Sequence, residues 1–155
     1  MHYVVFGISI AFISWMVGMI VNGLLKNTSY YEQVTDLNFI QSEHLDKMLG
    51  LGLFKWIVKN TFFKYFNEKL TLKNKIELSE LSELRKEMTY SEISHLIGFA
   101  FVTVFAIYKG ITIDYVFGLT IMLCNILLNL YPALLQQKNK RRINRLLSIV
   151  QSNRN

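Results

Sequence analysis

The chain has 155 residues, of which 52% are hydrophobic and 18% charged, and it carries a formal net charge of +6. The charged fraction falls below the roughly 25% of an ordinary soluble domain, and the charges stand in blocks between long apolar runs, which argues against a soluble globular fold. A nucleic-acid binder is argued against in turn, because the cations flank apolar spans instead of lining a polar helix; anionic lipid is the expected counter-charge.

The first apolar run, Tyr3 to Leu25, contains no charged residue and is long enough to cross a hydrocarbon core of about 30 Å. Only Met1 and His2 precede it and no small-residue cleavage exit follows, so it reads as a retained span and not as a signal peptide. Residues 26–44 show no helical period and read as a surface loop. From Leu45 to Phe66, Lys47, Lys55, Lys59 and Lys64 punctuate Leu, Trp and Phe, a pattern that predicts an amphipathic helix lying in the membrane interface. Residues 67–91 read as a turn and then an exposed helix with Leu78, Leu81 and Leu84 on one stripe, and Glu80, Glu83 and Glu87 around Arg85 and Lys86 on a solvated face.

The second apolar run, Ile93 to Tyr108, enters the hydrocarbon near Ser91 and is expected to end at Lys109-Gly110. The third, Ile111 to Leu135, is interrupted only by Asp114. So short a connection makes the two an antiparallel helical hairpin. The prediction is a single-domain, all-α integral membrane protein with three transmembrane helices, at about 3–25, 92–109 and 111–135, plus the interfacial amphipathic helix. Of the 17 Lys and Arg residues, 10 lie between the first two spans, one is Lys109, and 6 follow the third. The positive-inside tendency therefore places loop 26–91 and the tail 136–155 in the cytoplasm.

Glu92 and His95 then stand where the second span meets the membrane, on one helix face at a spacing of i, i+3. A carboxylate beside an imidazole fixes its tautomer and raises its basicity, as a general base requires; a helix entrance that merely satisfies two polar groups uses the same pair. In the third span Asn125, Asn129, Pro132 and Gln136 recur on one stripe. Amides at membrane depth face protein or a water-filled cavity, so the stripe turns inward, either as a site or as interhelical glue. Pro132 also frees a backbone carbonyl near Leu128. Asn139, Lys140, Arg141 and Arg142 follow at the level of lipid phosphates, suited to headgroup binding, topology determination or a phosphate-bearing donor.

Other chemistries find little support. Cys124 is buried in a span without a basic neighbour, no G-x-S-x-G elbow occurs, and the remaining histidines, His2 and His44, form no ligand spacing. No metal and no cofactor is expected.

Glu92-Ile93-Ser94-His95 opening one apolar helix, followed by Asn-x-x-Pro-x-x-x-Gln-x-x-Asn-Lys-x-Arg from Asn129 to Arg142, resembles the glycosyl-4,4'-diaponeurosporenoate acyltransferase family. The resemblance runs over roughly Leu84 to Leu147. It implies a small multi-pass protein of the bacterial cell membrane that esterifies a sugar hydroxyl of a glycosylated carotenoid, or a related glycolipid, with a fatty acyl group. Its partners would be the lipid acceptor, the acyl donor and membrane lipids. It marks Glu92, His95, Asn129, Gln136, Asn139, Lys140 and Arg142, with Asn125 on the same stripe. The family often has Gln-Arg-Tyr-Asn-Arg where this chain has Gln136-Gln137-Lys138-Asn139-Lys140, so headgroup or acceptor preference is expected to differ. The implied mechanism has His95, oriented by Glu92, deprotonating the acceptor hydroxyl as it attacks an acyl thioester, with Asn129 or Gln136 donating to the oxyanion. The alternative is a non-catalytic helical membrane subunit or scaffold.

Overall fold

A computed structural model describes residues 1–29, 31–37, 39–40, 42–60 and 78–152, the Glu43 side chain excepted. The elements are α1 (His2–Leu25), α2 (Tyr31–Thr35), α3 (Glu43–Met48), α4 (Leu51–Asn60), α5 (Leu78–Thr112), α6 (Tyr115–Asn125), a π-helical turn (Ile126–Leu130) and α7 (Tyr131–Ser152), with no strand among the described residues. Three helices are long and apolar enough to cross a membrane: His2–Leu25, Leu78–Thr112 and the continuous run Tyr115–Ser152. Ile13, Met16 and Ile20 of α1 are exposed, as a lipid-facing surface allows.

Local chemistry explains where the helices begin and end. In the stretch expected to be a loop, the Ser42 hydroxyl accepts from the backbone N–H of His44 (3.1 Å) and Leu45 (3.4 Å) and so starts α3. The expected interfacial helix is divided between α3 and α4 by Leu49 and Gly50, because Gly50 takes φ +65°, a left-handed conformation that glycine adopts without a Cβ penalty. Residues 61–77, which hold the rest of that predicted helix and the predicted turn, lie outside the described residues.

The exposed helix and the second span form one helix of 35 residues. No proline interrupts it, and it runs past Lys109-Gly110 to Thr112. The break falls instead at Ile113 and Asp114, where the extended Asp114 accepts from the Val116 N–H at 3.1 Å and caps α6. Gly110 stays inside the helix as a packing residue. A Cβ on Gly118 would stand 2.7 Å from both Gly110 Cα and the Ala106 carbonyl oxygen, so the two arms of the hairpin meet backbone to backbone.

The described residues fall into two compact units. The first comprises Met1–Leu37 and Tyr90–Ala133. Its apolar core is Ile10, Val102, Ala106, Phe117 and Ile121, with Tyr3 stacked on Phe117 at 4.2 Å between ring centroids. The Tyr3 hydroxyl also reaches Asp114 (3.4 Å).

The second unit comprises Asn38–Thr89 and Leu134–Asn155. Here Leu81, Met88 and Ile143 are buried, with Leu84, Leu146, Leu147 and Val150 packed against them. The leucine stripe predicted on an exposed helix thus covers the apolar face of α7. Arg85 Nε donates to Asn144 Oδ1 (2.8 Å) along the same contact.

Candidate functional site

In the first unit α1 presents a stripe of small and polar residues, Gly7, Ala11, Ser14, Gly18 and Asn22, all buried. Spacings of four, three, four and four keep them on one helix face. Glycine is required where that face meets α5: a Cβ on Gly18 would stand 2.2 Å from the Ser94 carbonyl oxygen. One turn along α5, a Cβ on Gly98 would meet Asn129 Oδ1 at 3.0 Å and Ser14 Oγ at 3.1 Å. Three helices therefore converge at Ser14, Gly98 and Asn129. At the other end of the stripe, Asn22 Nδ2 donates to the Tyr90 carbonyl (2.8 Å) and to Ser94 Oγ (2.9 Å).

The predicted amide stripe does turn inward, and Asn125 and Asn129 are fully buried. Asn125 Nδ2 donates to the Phe99 carbonyl (3.0 Å) and Thr103 Oγ1 (3.2 Å), while its Oδ1 accepts from Asn129 Nδ2 (2.9 Å). Asn129 Nδ2 also donates to Ser14 Oγ (3.0 Å), and Ser14 Oγ donates to the Ala11 carbonyl (2.6 Å). Both amide hydrogens of Asn129 are thereby used. What remains is its Oδ1, an acceptor closed off from solvent and without a well-directed hydrogen bond. The sequence suggested Asn129 as an oxyanion donor; this geometry leaves it an acceptor only.

His95 lies beside that group. The Asn129 side chain is within interacting reach of the imidazole, and the Trp15 ring meets it edge to face at 5.8 Å with an interplanar angle of 89°. Nδ1 of His95 is shielded from solvent and makes no hydrogen bond. Glu92, one turn earlier on α5, is completely buried.

The wide turn carrying Asn129 has a readable cause. Pro132 has no N–H to offer Leu128, so the Leu128 carbonyl loses its helical partner, and the backbone opens into the π-helical turn Ile126–Leu130. The freed carbonyl is taken by Trp15, whose Nε1 donates to it at 3.1 Å. One α1 side chain thus touches both the imidazole and the backbone that holds its amide neighbour. Ser14 and Trp15 were not marked as site residues from the sequence. The signal available was the spacing of small residues in the first span, which identifies its packed face.

The other sequence-predicted residues belong to the second unit. Asn139 and Lys140 are buried on α7, Gln136 is partly buried and Arg142 is exposed. The strongest contact there was not anticipated: Asp46, 2% exposed, receives both carboxylate hydrogen bonds from Arg141 Nη2 (2.8 Å each), with Lys138 Nζ at 3.5 Å from Oδ2. Arg141 Nη1 also donates to the Ile40 carbonyl, and Gln137 Oε1 accepts from the Phe39 N–H (3.1 Å). Among the described residues, no group of three or more His, Cys, Asp or Glu side chains is arranged to hold a metal ion.

The model of the glycosyl-4,4'-diaponeurosporenoate acyltransferase (CrtO) family matches residues 27–149. The chain belongs to that family. Searches of curated proteins and of solved structures give no match. The match to the glycosyl-4,4'-diaponeurosporenoate acyltransferases takes in His95, the wide turn and most of α7, and it begins just after α1. Acyl transfer is thus the chemistry associated with this family, and Ser14 and Trp15 stand outside the stretch that identifies it.

Proposed function

We propose that the protein transfers a fatty acyl group from a thioester donor to a hydroxyl of a lipid-soluble acceptor, a glycosylated carotenoid or glycolipid, at the cytoplasmic surface of the bacterial cell membrane. His95 is the general base. The observation that carries this reading is the imidazole itself, which lies beside the buried Asn129 amide and has a shielded, unbonded Nδ1.

In the reaction the acceptor O–H gives its proton to His95 Nδ1 as its oxygen bonds to the acyl carbonyl carbon. The tetrahedral adduct collapses, the C–S bond breaks, and the imidazolium returns the proton to the leaving sulfur. The products are an ester and a free thiol. Asn129 is the neighbour that orients the ring, Asn125 and Ser14 hold Asn129, and Glu92, one turn earlier on α5, is the carboxylate that orients the imidazole. Gln136, Asn139, Lys140 and Arg142 are the candidates for binding substrate.

The test compares lipid extracts by mass spectrometry from cells with and without the protein. An acylated glycolipid or pigment should vanish on deletion, return with the wild-type chain and stay absent with His95→Ala at equal membrane abundance. A purified His95→Ala variant that still transfers acyl groups refutes the proposal. One observation favours a second reading, a non-catalytic helical subunit: Asn22, Asn125 and Asn129 all spend their amide hydrogens on structural hydrogen bonds. Under that reading His95→Ala is tolerated, and Asn129→Leu impairs assembly.

A further inference from the structure

Trp15 stands near the midpoint of α1, away from the two helix ends where a membrane span ordinarily keeps its indoles. Its indole is fixed from two directions: Nε1 donates to the Leu128 carbonyl at 3.1 Å, and the Phe12 ring meets it edge to face at 4.6 Å with an interplanar angle of 67°. The same indole meets the His95 ring at 5.8 Å and 89°. The clasp extends by one residue along both helices, because Ser14 Oγ accepts from Asn129 Nδ2 at 3.0 Å; two neighbours on α1 thus hold two neighbours on the wide turn. An imidazole turns about a broad, roughly two-fold torsion, and His95 Nδ1 makes no hydrogen bond that would resist the turning. A pinned ring packed edge to face restricts it. Many apolar side chains could fill this space, but among the large aromatic ones only an indole or a phenol also brings a donor for the freed carbonyl.

We propose that Trp15 is a positioning residue for acyl transfer, holding the His95 imidazole in the plane from which Nδ1 meets the acceptor hydroxyl; this rests on His95 being the general base. Trp15 acts through the imidazole and takes no part in binding substrate. Its loss therefore lowers turnover and leaves the Michaelis constant alone, since a base held in the wrong plane fails in the transition state and not in the ground state. The carbonyl that pins the indole is the one that Pro132 frees. A helix defect in the third span thereby sets the attitude of a ring on the second by way of a side chain on the first.

The test uses the purified full chain in detergent and has two arms. The first needs no substrate: histidine-labelled protein is followed by NMR, and because the chain has only three histidines, His95→Ala assigns the His95 signals and His2 and His44 serve as internal controls. Trp15→Leu should move the His95 ring resonances downfield, out of the indole ring current, and leave the other two in place, while Trp15→Phe, which keeps a ring there, should move them less. The second arm measures thiol release from palmitoyl-coenzyme A with glycosyl-4,4'-diaponeurosporenoate as acceptor. Trp15→Leu should lower kcat at least about tenfold with KM within about twofold of wild type, and Trp15→Phe should recover part of the loss. The positioning role is overturned if the His95 resonances stay in place in Trp15→Leu, if that variant turns over as wild type does, if it raises KM with kcat unchanged, or if Trp15→Phe is no more active than Trp15→Leu. An active His95→Ala variant is a separate failure, of the base itself, and is seen without any change at Trp15.

Discussion

The two units solve the problem of buried polarity in opposite ways. In the first, among apolar helices, the buried groups are mostly amides, hydroxyls and an imidazole, with Glu92 the one buried carboxylate described, and most of the amide hydrogens are spent on a neighbouring helix. In the second, the buried groups include a carboxylate held by a guanidinium and an ammonium. Amides ask little of their surroundings, since burying one with its hydrogen bonds made is nearly neutral, whereas a buried carboxylate is tolerable only when paired. The difference teaches where reactivity can be kept. A cluster of neutral groups can leave one imidazole nitrogen unbonded at modest cost, while an ion cluster cannot leave its carboxylate bare.

The largest expected effect bears on function alone. His95→Ala should lower acyl transfer by about 10² to 10⁴-fold, the usual contribution of a general base, with unchanged abundance in isolated membranes. A smaller loss would reduce the neutral cluster to packing. Next, Asp46→Ala should destabilise the charged unit by about 3 kcal/mol, because Arg141 would remain without its carboxylate. Asp46→Leu combined with Arg141→Met should recover most of that in thermal melting, and failure of the pair to recover would mean the ion pair is not the cause.

Gly18→Ala should cost about 2 kcal/mol, the overpacking penalty against the Ser94 carbonyl less the helix-propensity gain over glycine. A neutral result would show that α1 and α5 are not in backbone contact. The smallest effect is expected from Trp15→Phe, which keeps the ring against His95 and removes the donor to Leu128. About 1 kcal/mol of stability should go. Pro132→Ala in the Trp15→Phe background should restore it by giving Leu128 a helical partner again, and a double variant less stable than either single one would contradict this account of the wide turn.

Much of this was legible in the sequence. The three apolar runs, the short hairpin connection, the inward amide stripe and the carbonyl freed by Pro132 all follow from spacing within one helix, which a sequence displays directly. The misplaced boundary at Lys109-Gly110 came from treating glycine as a breaker. Here it allows close approach, and the side chain of Asp114 sets the end. What could not be read were pairings between distant segments: Trp15 with Leu128 lies across 113 residues and Arg141 with Asp46 across 95. Spacing says which face a residue occupies and is silent about which face it meets.

The family match begins at residue 27, while the hydroxyl that steadies Asn129 and the indole that borders His95 come from residues 14 and 15. A polypeptide starting at Asn27 would carry every hallmark of the family and still lack one wall of its polar centre. The first span is then no interchangeable tether. Exchanging it for a generic oligoleucine segment should spare insertion and abolish turnover, and residues 1–26 supplied as a separate peptide should complement the truncated remainder within the bilayer.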